Sequence, residues 1–379
     1  MAVKKCVYLI DSLTSGGAQR QLVELVRGLD KNYIMPSVVT YHDIPFFRNE
    51  LLEAGIPYLC IEKKDKIGAS FLRDFLRILK QTRPDFIHSF LNVPNIYARV
   101  AKLLGGVSAV VTSERNISIT QHLDLTIGEK LTWRLSDVII TNAYATKDIL
   151  VQRIGINAEK IRVVYNGVDV ARFTMPSPEN VYKIRQACKA QTANTKLIGL
   201  VGRIVPQKNH LCLIKAIRLL LSRRPDLDLK VAFWGSTPDA AYIQEVREYL
   251  KDSNLEEAFF FLGAESDMAS VYSACDIIVL PSLWEGFPNI VLEAMSANRP
   301  VIASDIVDNA KIITNDVDGF LTLPDDAENL AHVILKVVNL PEDERKSLCG
   351  RGFEKIIREF STNRMVENTM KVYEEFGLC

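Results

Sequence analysis

Short apolar runs alternate with amphipathic stretches along almost the whole chain, and they do so in two series. In the first, apolar runs at 5–10, 37–41, 57–61, 85–89, 108–113, 137–141 and 161–165 are separated by helical patterns at 18–29, 46–54, 69–81, 93–104, 125–135 and 144–153. Leu22, Leu25, Val26 and Leu29 recur on one helical face, the spacing of a helix with one buried side. Runs that are apolar throughout, spaced by helices, predict a parallel sheet covered on both faces. The pattern lapses over 170–195, where Pro176, Pro178 and many polar residues predict a linker and the lead-in to a second domain. It then restarts, with strands predicted at 197–201, 228–233, 258–262, 276–280 and 300–304 and helices at 209–222, 239–251, 266–274, after Pro288, 326–338 and 342–359. Residues 305–324 read as loop. Asn166-Gly167 reads as a turn with positive φ, which this pair favours. The length of 379 residues accommodates two such α/β domains.

Composition narrows the class. With 48% hydrophobic and 24% charged residues, the chain can bury two sizeable cores. No apolar run reaches the roughly 18 residues a membrane span needs. The opening run, Cys6–Ile10, is too short for the core of a signal peptide. The seven cysteines, at 6, 60, 188, 212, 275, 349 and 379, are odd in number, form no CxxC pair and sit mostly in apolar runs, which predicts reduced core thiols and a cytoplasmic protein. Residues 1–178 hold 23 Lys and Arg against 17 Asp and Glu, and the remainder 23 against 29. A basic first half points to an anionic partner.

Two motifs carry chemistry in the second half. In Glu285-Gly286-Phe287-Pro288-Asn289-Ile290-Val291-Leu292-Glu293, a buried strand ends at Pro281-Ser282, a turn holds Glu285 and Gly286, and Pro288-Asn289 opens a helix. Free N–H groups of a first helical turn favour an anion. Two carboxylates beside such a site suit neutral hydroxyls, as on a ribose or a sugar. A glycosidase carboxylate pair, about 5 to 9.5 Å apart, is a competing reading, and a solvated Glu at a helix start is the plain one. Upstream, Leu197-Ile-Gly-Leu-Val-Gly202-Arg203 leads to Lys208 at a helix entrance. Cations there oppose the helix dipole, yet suit a diphosphate, which Arg meets as a fork and Lys as a point charge. In the first half, Gly16-Gly17 opens a helix at the carboxyl end of the first strand, where open α/β sheets bind ligands. His88 ends the strand Asp85–Ser89; it reads equally as an acceptor-side group or as a histidine bonded to backbone, and His210 reads as structural. Neither half contains GxGxxG, the nicotinamide-type fingerprint.

Taken in order, Gly16-Gly17, Asn166-Gly-Val-Asp169, Arg203, Lys208, Asp276 through Glu293 with Glu285 and Glu293 eight apart, and Pro300-Val-Ile-Ala-Ser304 resemble the retaining glycosyltransferases of family 4. The resemblance implies the GT-B fold, two Rossmann-like parallel-sheet domains facing a central cleft. It implies an acceptor domain over 1–178, with 361–379 crossing back to it as a helix, and a nucleotide-sugar donor domain over 179–360. It assigns Gly16, Gly17, Gly202, Arg203, Lys208, Glu285, Gly286, Phe287, Pro288, Asn289 and Glu293 to donor binding, with Glu293 on the ribose and Glu285 on the sugar. Arg203, Lys208, Glu285 and His88 are the candidate catalytic groups, and no metal or cofactor is implied.

The chain departs from the family pattern twice. Many relatives carry a histidine where Glu114-Arg115-Asn116 follows Ala109–Ser113, and paired glycines where this chain has Asp308-Asn309. The expected reaction is sugar transfer from a nucleotide sugar, UDP- or GDP-linked, to a hydroxyl of a lipid-linked or polysaccharide acceptor, with no nucleic acid involved. A GT-B sugar-nucleotide epimerase and a non-catalytic sugar-nucleotide-binding module remain open alternatives. Lys63, Lys64 and Lys66, with Arg73, Arg77 and Lys80 beyond them, predict weak contact with an anionic membrane surface, with Phe75 facing inward.

Overall fold

The computed structural model describes residues 3–65, 68–115, 123–306 and 308–379. They form two compact units, Met1–Gly167 with Thr362–Cys379, and Val168–Ser361. The division falls at Gly167/Val168 rather than at 178/179, because the whole stretch read as linker and lead-in belongs to the second unit. There Ser177 accepts from the Asn180 amide and starts the helix Pro178–Ala187, with proline at its first position. Arg185 then ties that helix down, donating to the carbonyls of Ala190, Thr195 and Ala274 and to Asp276. Phe173 is buried edge-on against Tyr272.

The first unit holds a seven-stranded parallel sheet of β1 (Lys4–Leu9), β2 (Ile34–Thr40), β3 (Tyr58–Cys60), β4 (Phe86–Phe90), β5 (Ala109–Glu114), β6 (Val138–Thr141) and β7 (Ile161–Val163), in the order β3-β2-β1-β4-β5-β6-β7. One face packs Tyr8, Phe86 and Phe90 against Leu22, Leu25 and Val26, together with Met365 and Tyr373 of the terminal helix Thr362–Glu375. The chain's last helix is therefore part of the first unit, as the resemblance implied. The other face packs Leu9 and Ile87 on Phe71, Phe75 and Leu79, the inner side of the helix Ala69–Thr82.

The second unit holds β8 (Lys196–Val201), β9 (Leu229–Trp234), β10 (Phe259–Gly263), β11 (Ile277–Leu280), β12 (Val301–Ser304) and β13 (Phe320–Thr322), all parallel, in the order β10-β9-β8-β11-β12-β13. The short edge strand β13 lies where the sequence read as loop; three residues are too few to show a period. In each sheet the order reverses at one place, between β1 and β4 and between β8 and β11, and open α/β sheets bind ligands outside the strand ends there.

The Asn166-Gly167 expectation fails, since neither residue has positive φ. Gly167 is required instead by close approach: a Cβ there would lie 2.7 Å from the backbone of Thr362. All seven cysteines are free, five of them buried. Among the described residues no helix is long and apolar enough to cross a membrane.

Candidate functional site

At the β8/β11 reversal, three strand ends in the second unit close on glycines. Gly202 donates to the Trp234 carbonyl at 2.8 Å and Gly235 to the Gly263 carbonyl at 2.7 Å. Gly202 and Gly235 have φ of +145° and +154°, values that a Cβ disfavours. A Cβ on Gly235 would stand 2.0 Å from the Gly202 carbonyl oxygen, and one on Gly202 2.9 Å from Cε of Lys208. The glycines thus leave room for the lysine stem to fold back over the end of β8. The sequence reading found Gly202 and missed Gly235, although a glycine directly after the run Val231–Trp234 was a visible signal.

Lys208 leaves the 3-10 turn Pro206–Lys208 and is 8% exposed. Its Nζ donates to Oε1 of Glu285 at 2.6 Å, and the Ser282 hydroxyl donates to the same oxygen at 2.6 Å. The two loops are joined along their backbones as well: Leu283 N–H donates to the Gln207 carbonyl at 2.9 Å, and Gln207 Nε2 to the Trp284 carbonyl at 2.9 Å. Two motifs nearly eighty residues apart in sequence therefore meet in one paired cation and carboxylate. Lys208 and Glu285 neutralise one another, so an arriving anion shares Lys208 with Glu285. Arg203 differs, being exposed and forming no ion pair among the described residues.

Glu293 projects from the helix Asn289–Ser296. Its Oε2 accepts from the buried Tyr272 hydroxyl at 2.6 Å, and burial, then the Glu293 charge, holds that phenol well above its ordinary range. Tyr272 carried no local sequence signal. The first-turn amides expected to be free are partly used: Asn289 N–H donates to the Phe287 carbonyl at 3.1 Å and Val291 N–H to that of Pro288 at 2.9 Å. Gly286 is half-buried, while Phe287 and Pro288 are buried under the turn. Asn209, at φ +52°, holds the start of the next helix by donating to Asp325. His210 is fully buried against Phe233, and burial pushes its imidazole down to about 3.

In the first unit, Gly16 precedes the helix Gly17–Gly28 with φ −111°, an ordinary extended value. What a Cβ would meet is Gln19, which is held by Asp11 at 3.0 Å. His88 is the candidate catalytic group that lies in the first unit. The ring is fully buried, with Nδ1 hydrogen-bonded to the Tyr373 hydroxyl at 2.6 Å and Nε2 to the Ser113 hydroxyl at 2.8 Å. Burial first, then the Arg115 charge, keeps it neutral. The strand end placed the residue correctly; its partner Tyr373, on the terminal helix, was invisible from position 88. Asp308 and Asn309, which replace the family's glycines, are both buried, and Asn309 Nδ2 donates to the Ser304 carbonyl at 2.8 Å. Asn116 lies outside the described residues. Among the described residues no three His, Cys, Asp or Glu side chains cluster as a metal site would require.

Known proteins share both the sequence pattern and this architecture. Residues 15–172 match the family described as Glycosyltransferase Family 4 and residues 195–339 that described as Glycosyl transferases group 1. The Escherichia coli UDP-Gal:alpha-D-GlcNAc-diphosphoundecaprenol alpha-1,3-galactosyltransferase is 26% identical over 330 residues, 84% of this chain and 82% of that protein. The Campylobacter jejuni N-acetylgalactosamine-N,N'-diacetylbacillosaminyl-diphospho-undecaprenol 4-alpha-N-acetylgalactosaminyltransferase is 24% identical over 364 residues, 92% of this chain and 94% of that one. Among solved structures, Anabaena HepE with UDP-glucose superposes with a TM-score of 0.83 at 20% identity, covering 98% of this chain and all of that one. A Rickettsia africae glycosyltransferase gives 0.86 at 21% identity, covering 99% of each chain. With two parallel α/β units of the GT-B fold and family matches over both halves, the chain belongs to glycosyltransferase family 4.

Proposed function

We propose that the protein moves a sugar from a nucleotide sugar, with retention of the anomeric configuration, to a hydroxyl of a lipid-linked or cell-surface glycan intermediate. The observation that carries the reading is the constellation at the β8/β11 strand ends, where Gly202 and an exposed Arg203 stand on one loop and the Lys208–Glu285 pair joins that loop to the next. The donor would lie on this second unit. Arg203 and Lys208 would face the diphosphate, Glu285 and the Gly286–Asn289 turn the sugar, and Glu293 the ribose hydroxyls. Gly16 and Gly17 of the first unit would meet donor oxygens, and the first unit would supply acceptor contacts.

In the proposed step the acceptor hydroxyl attacks from the face the diphosphate leaves. The anomeric carbon–phosphate oxygen bond breaks, the bond to the acceptor oxygen forms, and the acceptor proton passes to the leaving phosphate oxygen. Fixed cations aimed at the developing charge lower such a barrier, and Arg203 and Lys208 supply them, so no metal is required. Support for a UDP-linked donor comes from HepE, which was solved with UDP and with UDP-glucose. Support for a lipid-diphosphate acceptor comes from the E. coli and C. jejuni relatives, whose names specify one, and support for a cell-surface glycan from a Rhizobium meliloti lipopolysaccharide core biosynthesis mannosyltransferase. Contact with an anionic membrane surface fits such an acceptor and would use Lys63, Lys64, Lys66 and the outer face of the helix Ala69–Thr82.

The test is a screen of UDP- and GDP-sugars with and without a lipid-diphosphate glycan acceptor, run with and without EDTA. Free nucleoside diphosphate should appear only with acceptor and survive the chelator, and NMR of the product should show the donor's anomeric configuration. Inversion refutes retention, and a new nucleotide sugar formed without acceptor marks an epimerase.

A further inference from the structure

Two buried arginines, one on the helix Asn92–Leu103 and one directly after β5, are oppositely treated. Arg99 is fully buried and reaches Glu129 at 2.6 Å and Glu114 at 3.6 Å, with further bonds to Ser136 and Thr112. Arg115 is 6% exposed. Its only hydrogen bond among the described residues runs from Nη1 to the amide oxygen of Asn166, at 2.6 Å, and its Nε is buried without a partner. The guanidinium lies 5.0 Å from the centre of the Phe90 ring. The other groups near enough to feel its charge are His88 and Tyr373, which carry no negative charge to offset it. The carboxyl group next to it in sequence, Glu114, turns away to Asn95 and Arg99.

A buried charge without a counter-charge is strongly destabilising, and an aromatic face recovers only part of that. This fold nevertheless holds Arg115 in place. Asn166 precedes Gly167, whose amide donates to Gln21 and whose carbonyl accepts from Gln21, both at 2.8 Å. The guanidinium is thus held by a neutral partner whose neighbour is anchored to the helix Gly17–Gly28. It stands at the carboxyl edge of the sheet, the edge on which α/β sheets bind ligands. A guanidinium fork with no ion pair among the described residues matches phosphate oxygens.

We infer that Arg115 is an anion-binding residue of the first unit and that it takes a phosphate oxygen of a substrate, in first place the diphosphate of a lipid-linked acceptor. The inference rests on the reading of the first unit as the acceptor side. Arg115 also occupies the stretch where the sequence lacks the family's histidine, so a different chemistry at this point is in keeping with the chain.

The experiment measures thermal shifts of the full chain saturated with UDP, on adding inorganic pyrophosphate, farnesyl diphosphate or farnesol. Wild type should be stabilised by farnesyl diphosphate and not by farnesol; a shift of equal size with pyrophosphate identifies the phosphate groups as sufficient. In Arg115→Met the concentration of farnesyl diphosphate needed for half the shift should rise at least tenfold. The ligand-free melting temperature should stay level or rise, because an uncompensated charge has gone, and UDP should stabilise as before. Loss of the UDP shift instead would assign the same phosphate contact to the donor. Both shifts intact in Arg115→Met, with a lowered ligand-free melting temperature, would make the residue structural and overturn the inference. Should the methionine variant not fold, Arg115→Lys keeps the charge and loses the fork; an unchanged midpoint there overturns it equally. Failure of UDP to bind wild type would count against the proposed function, and leaves the pyrophosphate arm, repeated without UDP, to decide on Arg115.

Discussion

The two sheets reverse strand order in the same way, at β1/β4 and at β8/β11, yet they are equipped differently at those ends. In the second unit the buried charges are closed into a pair, Lys208 with Glu285, and the remaining cation, Arg203, stands in solvent. In the first unit the strand ends hold a neutral chain of Tyr8, Tyr373, His88 and Ser113, and the charges gather beside it, Arg99 between the carboxyl groups of Glu114 and Glu129 and Arg115 with no acidic partner among the described residues. The second unit closes its buried lysine on an internal carboxylate. The first, among the described residues, leaves one buried cation without a counter-charge.

The sharpest way to break this comparison is to remove half of the second unit's pair. With side chains only 11% and 8% exposed, Lys208→Met or Glu285→Gln alone leaves a buried charge, and each should lose about 3–5 kcal/mol of stability. The double variant should recover most of that loss in denaturant titrations while transferring no sugar. Equal losses in all three would mean the pair contributes nothing to the unit.

Arg203→Ala should behave in the opposite way. Its side chain is exposed and forms no ion pair among the described residues, so the melting temperature should hold, while kcat falls by about 2.7–4 kcal/mol of barrier, the scale for losing one fixed donor to developing charge. Turnover within a few-fold of wild type removes Arg203 from the diphosphate. Gly235→Ala comes next: a Cβ 2.0 Å from a carbonyl oxygen at a disfavoured φ should cost about 1–3 kcal/mol, and with it the loop that carries Arg203. Gly105→Ala, with positive φ but nothing within 4 Å of the added Cβ, serves as the milder control.

A pH series sharpens the first unit's side. Burial, then the nearby Glu129 charge, pushes the Glu114 carboxyl from 4.5 up to about 8. The folded state therefore holds a proton that the unfolded chain releases near pH 4.5, so this group's stabilisation is complete below that pH and fades as pH rises to about 8. Glu114→Gln fixes the protonated shape and should flatten the fall in melting temperature between those values. An unchanged slope would place the proton elsewhere.

How much of this was legible follows the same division. Both sheets could be read because each strand is a continuous apolar run, and the donor motifs could be read because a glycine turn, a cation and a carboxylate turn are each local. What escaped depends on distant partners. Tyr373 lies 285 residues from His88, and Arg185 turned an apparent linker into part of the second unit through Asp276. That Lys208 would be neutralised by Glu285 was hidden too, since both were read as facing the ligand.

The smallest expected effect concerns the surface of the helix Ala69–Thr82. Its Phe75 is buried as expected. Arg73 and Arg77 both pair with Asp74, at 3.1 and 3.2 Å, so each should contribute less than the roughly 1 kcal/mol of a free cation at an anionic membrane. Co-sedimentation with vesicles containing phosphatidylserine should be weak, lost at high salt, and lost again in Lys63/Lys64/Lys66→Glu; Lys66 lies outside the described residues. Binding by that triple variant as strong as wild type would make this face merely solvated.

The most direct measurement is a calorimetric titration of UDP and of GDP into wild type and Arg203→Ala. One nucleotide should bind wild type, with the Kd raised at least tenfold in the variant and the melting temperature unchanged. Equal affinity in the two proteins, or no binding of either nucleotide to wild type, would contradict the assignment of the β8/β11 strand ends to a nucleotide sugar's diphosphate.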